Sequence, residues 1–143
     1  MKPESGNEAV DAILHAAHRI RTRFDADLRS IGLSLPSYKV LKTLAADGQS
    51  MVAISEVLRV SPRTVTDLVD TLVARELVER CQHASDRRVT VVCLTGKGAQ
   101  TLAQGRQLAE QNHARAVSAL SAAEQRTVQQ LLERVCSPNS TSQ

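Results

Sequence analysis

Apolar positions recur at three- and four-residue spacing through most of the chain, the pattern of helices that bury one face. Between Asn7 and Ile31 the set Val10, Ile13, Leu14, Ala17, Ile20, Phe24, Leu28 and Ile31 keeps that spacing over several turns, and Gly32 closes it. Residues before about Gly6 are polar and expected to fray. Ser34 is expected to cap a second helix carrying Tyr38, Val40, Leu41 and Leu44, closed by Asp47-Gly48, and Ser50 a third carrying Ile54, Val57 and Leu58. A very short turn, Arg59-Val60-Ser61-Pro62, follows. Ser61 can accept from a free amide of the next helix, and Pro62, which has no N–H, suits its first position. That fourth helix runs to about Arg75, with Val65, Leu68, Val69, Leu72 and Val73 as its inner stripe. Its other face shows Arg63, Thr64, Thr66, Asp67, Asp70 and Thr71.

After Leu77 the period changes from helical to alternating. VERCQH, a polar tip Ala84-Ser85-Asp86-Arg87-Arg88, and VTVVCLT with its β-branched residues predict a hairpin. Thr95 is expected to cap a fifth helix from about Gly96 to Leu120, and Ser121-Ala122-Ala123-Glu124 is a capping box opening a last one. Two helices joined by a tight turn and followed by a hairpin make a winged helix-turn-helix. The fold expected is mostly α with a small β-hairpin wing, its N- and C-terminal helices forming a dimerisation domain. The division is 1–33 (N-terminal dimerisation helix), 34–95 (winged helix-turn-helix), 96–136 (C-terminal dimerisation helices) and 137–143 (flexible tail). The first, fifth and sixth helices carry more apolar surface than one small domain absorbs, so a homodimer is expected.

A helix from Arg63 to Arg75 spans about 20 Å, long enough for its first turns to lie in a DNA major groove. Ser61, Arg63, Thr64 and Thr66 are the candidate contacts there. Arg87 and Arg88, at the hairpin tip, can reach an adjacent minor groove, where a cation gains from the potential between phosphates. Asp86 is expected to brace an arginine, and Asp67 to pair with Arg63 four residues earlier. Double-stranded DNA is the partner this arrangement implies.

The run from Ser34 to Leu102, with SLPSYKVLKTL, then ISEVLRVSPRTVTDLVDTLVARELVER, then DRRVTVVCLTGKG, resembles the MarR family of bacterial transcription regulators. The Asp-Arg-Arg tip followed by Leu-Thr-x-Lys-Gly is the most specific part. The resemblance implies a homodimer on a pseudo-palindromic operator, most often a repressor, released by a small aromatic or lipophilic effector and in some members by cysteine oxidation. By position it also implies that His15, His18 and Tyr38 border the effector cleft. Two departures stand out: Asp67 and Thr71 where members often carry basic residues, and Glu76 where a glycine is usual.

A chain of 143 residues with 42% hydrophobic positions is one domain by length, and 1% aromatics means a core of Leu, Val, Ile and Ala. A formal charge of +3 permits nucleic-acid binding without arguing for it. Three cysteines without a CxxC pair point to a reducing, cytoplasmic setting rather than a disulfide framework. Cys81 and Cys93 fall on opposite hairpin arms as diagonal neighbours, whose Cβ atoms are expected about 7 Å apart and so too distant to bond without backbone movement. No apolar run approaches a membrane span. His15, His18 and His113 lack further ligands at metal spacing, no phosphate loop or nucleophile elbow occurs, and no cofactor, metal or catalytic residue is expected. Rival readings are a redox-responsive regulator, a sequence-tolerant DNA architectural protein, or a protein-interaction module motivated by Asp67, Asp70 and Glu76.

Overall fold

The computed structural model describes residues 5–83 and 85–137. In chain order the elements are α1 (Ser5–Arg29), α2 (Leu35–Thr43), β1 (Gln49–Ser50), α3 (Met51–Leu58), α4 (Pro62–Ala74), β2 (Val78–Gln82), β3 (Thr90–Leu94), α5 (Gly96–Ala116) and α6 (Ala122–Cys136). Helix starts follow the cap residues. Ser34, Ser50, Ser61, Thr95 and Ser121 each hold extended backbone and accept from the amide three residues on, which satisfies one free donor per helix. At α6 the box is closed in both directions, Ser121 N donating to Glu124 Oε1 at 2.9 Å and Glu124 N to Ser121 Oγ at 3.1 Å. That carboxylate is held below its usual pKa by hydrogen bonding from the Ser121 backbone amide first and the Ser121 side chain second.

Three boundaries differ from the sequence reading. The first helix already includes Ser5 and Gly6, where fraying was expected. The fifth ends at Ala116 rather than Leu120, because the Ser118 hydroxyl takes the Arg115 carbonyl at 2.9 Å and the chain turns toward the next cap. Gln49 and Ser50 form a short strand that no alternation announced, pairing antiparallel with β3 as Gln49↔Val92 and Ser50↔Val91. The sheet order is β1-β3-β2, with Val78↔Leu94 through Gln82↔Thr90 setting the wing register. The tail expected over 137–143 lies outside the described residues except for Ser137.

One core joins these pieces. Phe24 and Leu28 of α1 meet Tyr38, Val40 and Leu41 of α2, Ile54 of α3, Val65, Val69 and Leu72 of α4, and Val78 and Val92 of the sheet. The stripe read from α4 is thus the face that packs inward, which turns its polar face out. Leu102 is the buried apolar residue by which α5 joins, and α6 has no buried residue at all. No helix among the described residues is long and apolar enough to cross a membrane.

Candidate nucleic-acid interface

The tight turn between α3 and α4 is made by Arg59, which caps α3 in the left-handed region at φ 56°, and by the Ser55 hydroxyl, which donates to Val60 O at 2.7 Å. Burial of Val65, Val69 and Leu72 then sets the rotation of α4 and leaves Ser61, Arg63, Thr64 and Thr66 exposed together on one edge. The hydroxyls are partly spoken for. Ser61 Oγ and Thr64 Oγ1 lie 2.9 Å apart, and Thr66 Oγ1 donates to Pro62 O at 3.0 Å. A partner would therefore find the Thr66 oxygen as an acceptor and one free proton on the Ser61–Thr64 pair. Arg63 makes no ion pair or side-chain hydrogen bond among the described residues; the expected bridge to Asp67 is absent. The Asp67 carbonyl instead accepts from the Thr71 hydroxyl at 2.9 Å. With five donors on a planar, always charged head, Arg63 is free to engage a phosphate or a guanine edge.

The wing projects beside this helix. Asp86 does brace an arginine: its Oδ1 accepts from Arg88 N at 3.0 Å and faces Arg88 Nε at 3.4 Å. That brace leaves the Arg88 side chain 93% exposed and Arg87 exposed beside it. Ala84, part of the expected tip, lies outside the described residues. Two further arginines, which sequence reading missed, hold the module together. Arg80 of β2 pairs with Asp70 of α4 at 2.6 Å, fixing wing to helix. Arg75, the C-cap of α4, donates to the Gly32 and Ile31 carbonyls at the end of α1, tying the recognition helix to the long arm. Neither pair has a helical i, i+4 spacing that would have marked it in advance. Asp70, offered as a reason for a protein-interaction module, is thus occupied within the chain.

Glu76, the departure from glycine, stands at φ 60°. Its carbonyl accepts from Thr95 Oγ1 at 2.6 Å, and Thr95 N donates to Leu77 O at 3.1 Å, so the end of the wing is stitched to the helix that precedes it. Gly98 then passes so close that a Cβ would collide with the Leu77 carbonyl. The Leu-Thr-x-Lys-Gly run is the cap and close approach of this junction.

The cysteine expectation needs correction. Cys81 faces Val91 and Cys93 faces Glu79, so the two are diagonal neighbours as read. Their Cα atoms, however, are 6.7 Å apart, within disulfide reach, and the two sulfurs are bonded. The right-handed twist of the sheet draws one diagonal together, which flat-sheet spacing ignores. Cys136 is a free, exposed thiol.

Of the residues assigned to an effector cleft, His15 and His18 are exposed on α1. Tyr38 is only 5% exposed, edge-on to Phe24 with ring centroids 5.3 Å apart and beneath Gly105. None of the three lines the cavities between α1 and α5, α2 and α3, or α1 and α6. The α1–α5 cleft holds about 300 Å³ and presents Arg19, Arg23 and Arg115 with Ile20 and Asn112. Arg115 faces Asp27 at 3.9 Å, while the Oδ1 of Asn112, a residue 2% exposed, has no hydrogen-bond partner. Among the described residues no group of three or more His, Cys, Asp or Glu could hold a metal ion.

Comparison with known proteins adds to this geometry. The MarR family model matches residues 33–90. A crystal structure of a mutant MarR from E. coli complexed with operator DNA is similar at a TM-score of 0.76 and 26% identity, covering 94% of this chain and 100% of that one. AbsC, a MarR family transcriptional regulator from Streptomyces coelicolor, is similar in fold at 0.79 and 19% identity, with 94% of each chain covered. BpsR of Bordetella bronchiseptica, whose DNA binding is regulated by 6-hydroxynicotinic acid, is similar in fold at 0.73 and 23% identity, over 91% of this chain and 99% of that one. No curated protein matches the chain.

Proposed function

We infer, from a chain that carries the MarR family domain over residues 33–90 within that family's winged-helix fold, a transcription regulator that binds an operator as a homodimer and represses. The observation that carries this reading is the joint exposure of Ser61, Arg63, Thr64 and Thr66 on α4 beside Arg87 and Arg88 on the wing, two cationic ends of one surface. Phosphate contacts by the arginines would supply affinity through counterion release, and contacts to base edges the discrimination. The homodimer is supported by α6, an amphipathic helix whose Val128, Leu131, Leu132 and Val135 are uncovered. A helix of that length does not persist on propensity alone, so its apolar face calls for a partner surface. Two copies related by a twofold axis would present recognition helices about 34 Å apart, one turn of DNA.

Selection of bound fragments from a random duplex pool tests this. An inverted repeat with half-sites one helical turn apart is the expected result. Recovery of unrelated sequences, with little preference over random DNA, would mean an architectural protein instead.

Control by a small effector fits the α1–α5 cleft better than the buried Tyr38. Arg19, Arg23 and Arg115 favour an acidic head, and Ala16, Ile20 and Ala116 offer an apolar wall for an aromatic body. Such a ligand acts by its differential affinity for two dimer geometries, only one of which matches the operator. Titration of aromatic carboxylic acids against an operator-binding assay measures that difference. The cytoplasm, where operators lie, is the corresponding location.

A further inference from the structure

Arg63 and Asp67 occupy the centre of the outward face of α4. At 3.6 residues per turn both fall within about 30° of the direction opposite the buried Val65, Val69 and Leu72, while Thr64 and Thr66 lie on the flanks. Asp67 is exposed, and among the described residues its carboxylate has no hydrogen-bond or ion-pair partner. The neighbours able to answer it are engaged elsewhere or wrongly ordered. Thr71 donates its hydroxyl to the Asp67 carbonyl, and Arg80 of the wing donates to Asp70 at 2.6 Å. Arg63 precedes Asp67 by four residues, and a cation N-terminal to an anion is the weaker order for a bridge along a helix. A carboxylate can only accept, so a surface that approaches phosphates repels DNA at this point unless a donor meets it. Major-groove edges offer two such donors, the N4 amine of cytosine and the N6 amine of adenine, whereas guanine presents O6 and N7 and thymine O4. Adenine sets its N7 acceptor beside the amine, which repels the second carboxylate oxygen; cytosine has no acceptor there.

We propose that Asp67 is a specificity-determining residue of the reading surface, its carboxylate accepting from the N4 amine of one cytosine in each half-site. The proposal rests on the operator-binding reading above and adds what selects among operators. The negative charge weakens contact with any duplex, and a cytosine at the facing step compensates for it. Asp67 thereby raises the ratio of specific to non-specific binding rather than affinity for DNA at large. Arg63, one turn earlier on the same face, contributes the opposite charge, so the centre of α4 combines a general attraction with a local requirement.

The test puts the full parent chain, Asp67→Ala and Asp67→Asn each through selection from a random duplex pool. Both variants should fold, since the position is exposed and alanine is the better helix former there; thermal melting followed by circular dichroism checks it. The parent should return an inverted repeat with a cytosine column in each half-site. In Asp67→Ala that column should become indifferent while the others stay, and in Asp67→Asn it should turn toward adenine, whose N6 and N7 an amide meets as a pair. Changing that cytosine to thymine in one half-site should weaken parental binding about 5- to 150-fold and leave Asp67→Ala almost unaffected. Random duplex should bind Asp67→Ala more tightly than the parent, a gain that a merely structural role would not produce. The parental comparison of the two duplexes needs no substitution, so it stands whatever the variants do. An inverted repeat without such a cytosine, a cytosine column that survives in Asp67→Ala, or a parent equally tight on the changed duplex overturns the proposal. A parent that returns no inverted repeat overturns the operator reading, and this proposal with it.

Discussion

Glu76 and Tyr38 show how much a single position carries. At φ 60° a residue with a Cβ sits in the left-handed region at a cost of about 1–2 kcal/mol, which glycine avoids. Glu76→Gly should therefore raise stability by about 1 kcal/mol in urea unfolding, since the carbonyl bond from Thr95 needs no side chain at 76. Loss of stability would show that the Glu76 side chain holds something its backbone does not. Tyr38 is the sole tyrosine, so its ionisation can be followed directly. Burial raises its pKa above 10.0, an effect that the Arg106 charge partly offsets. Because the folded value lies above the unfolded one, Tyr38's contribution to stability is complete below the ordinary tyrosine pKa and is lost as pH rises through the folded value. Ultraviolet titration should give a midpoint above 10.0 in buffer and the ordinary one in denaturant.

Among the elements, α4 and the wing are held in register by contacts outside the proposed reading surface. Arg80–Asp70 joins them, and Arg75 joins α4 to α1. Arg63→Ala and Arg88→Ala should each weaken operator binding by about 1–3 kcal/mol, and each lost phosphate contact should lower the slope of log affinity against log salt by about one. Arg80→Ala is different. Its partner Asp70 is more than half exposed, so stability should change by less than about 1 kcal/mol, while the wing loses its anchor and affinity falls. Binding isotherms at several salt concentrations separate the two cases: Arg80→Ala lowers affinity with little change in slope. A parental salt slope in Arg63→Ala would remove that side chain from the phosphate contacts.

For the whole molecule, the uncovered apolar face decides what it can be. Leu14 is 62% and Leu131 51% exposed on helices that otherwise have little to pack against at that end. A Leu14→Asp, Leu131→Asp chain should sediment as a monomer at micromolar concentration where the parent is a dimer. Its helix content should fall only by the contribution of α6, and its operator affinity should drop to that of a single half-site. A parent that is itself monomeric would leave α6 unexplained and remove the twofold operator from the reading.

Caps, apolar stripes and turn residues act through local sterics and hydrogen bonds, and their consequences were legible in the chain: five cap residues at helix starts, the inward face of α4, and the hairpin with Asp86 bracing Arg88. Those local rules sufficed to propose a winged helix-turn-helix and its outward-facing arginine. Tertiary structure decided what depends on where separate elements come to rest. It placed Tyr38 in the core rather than in a cleft, left Asp67 apart from Arg63, paired Arg80 with Asp70, and brought Cys81 within reach of Cys93. The reason is physical: twist, packing angle and side-chain rotamer accumulate over many residues, so a distance between elements is a property of the assembled core and of no short stretch within it.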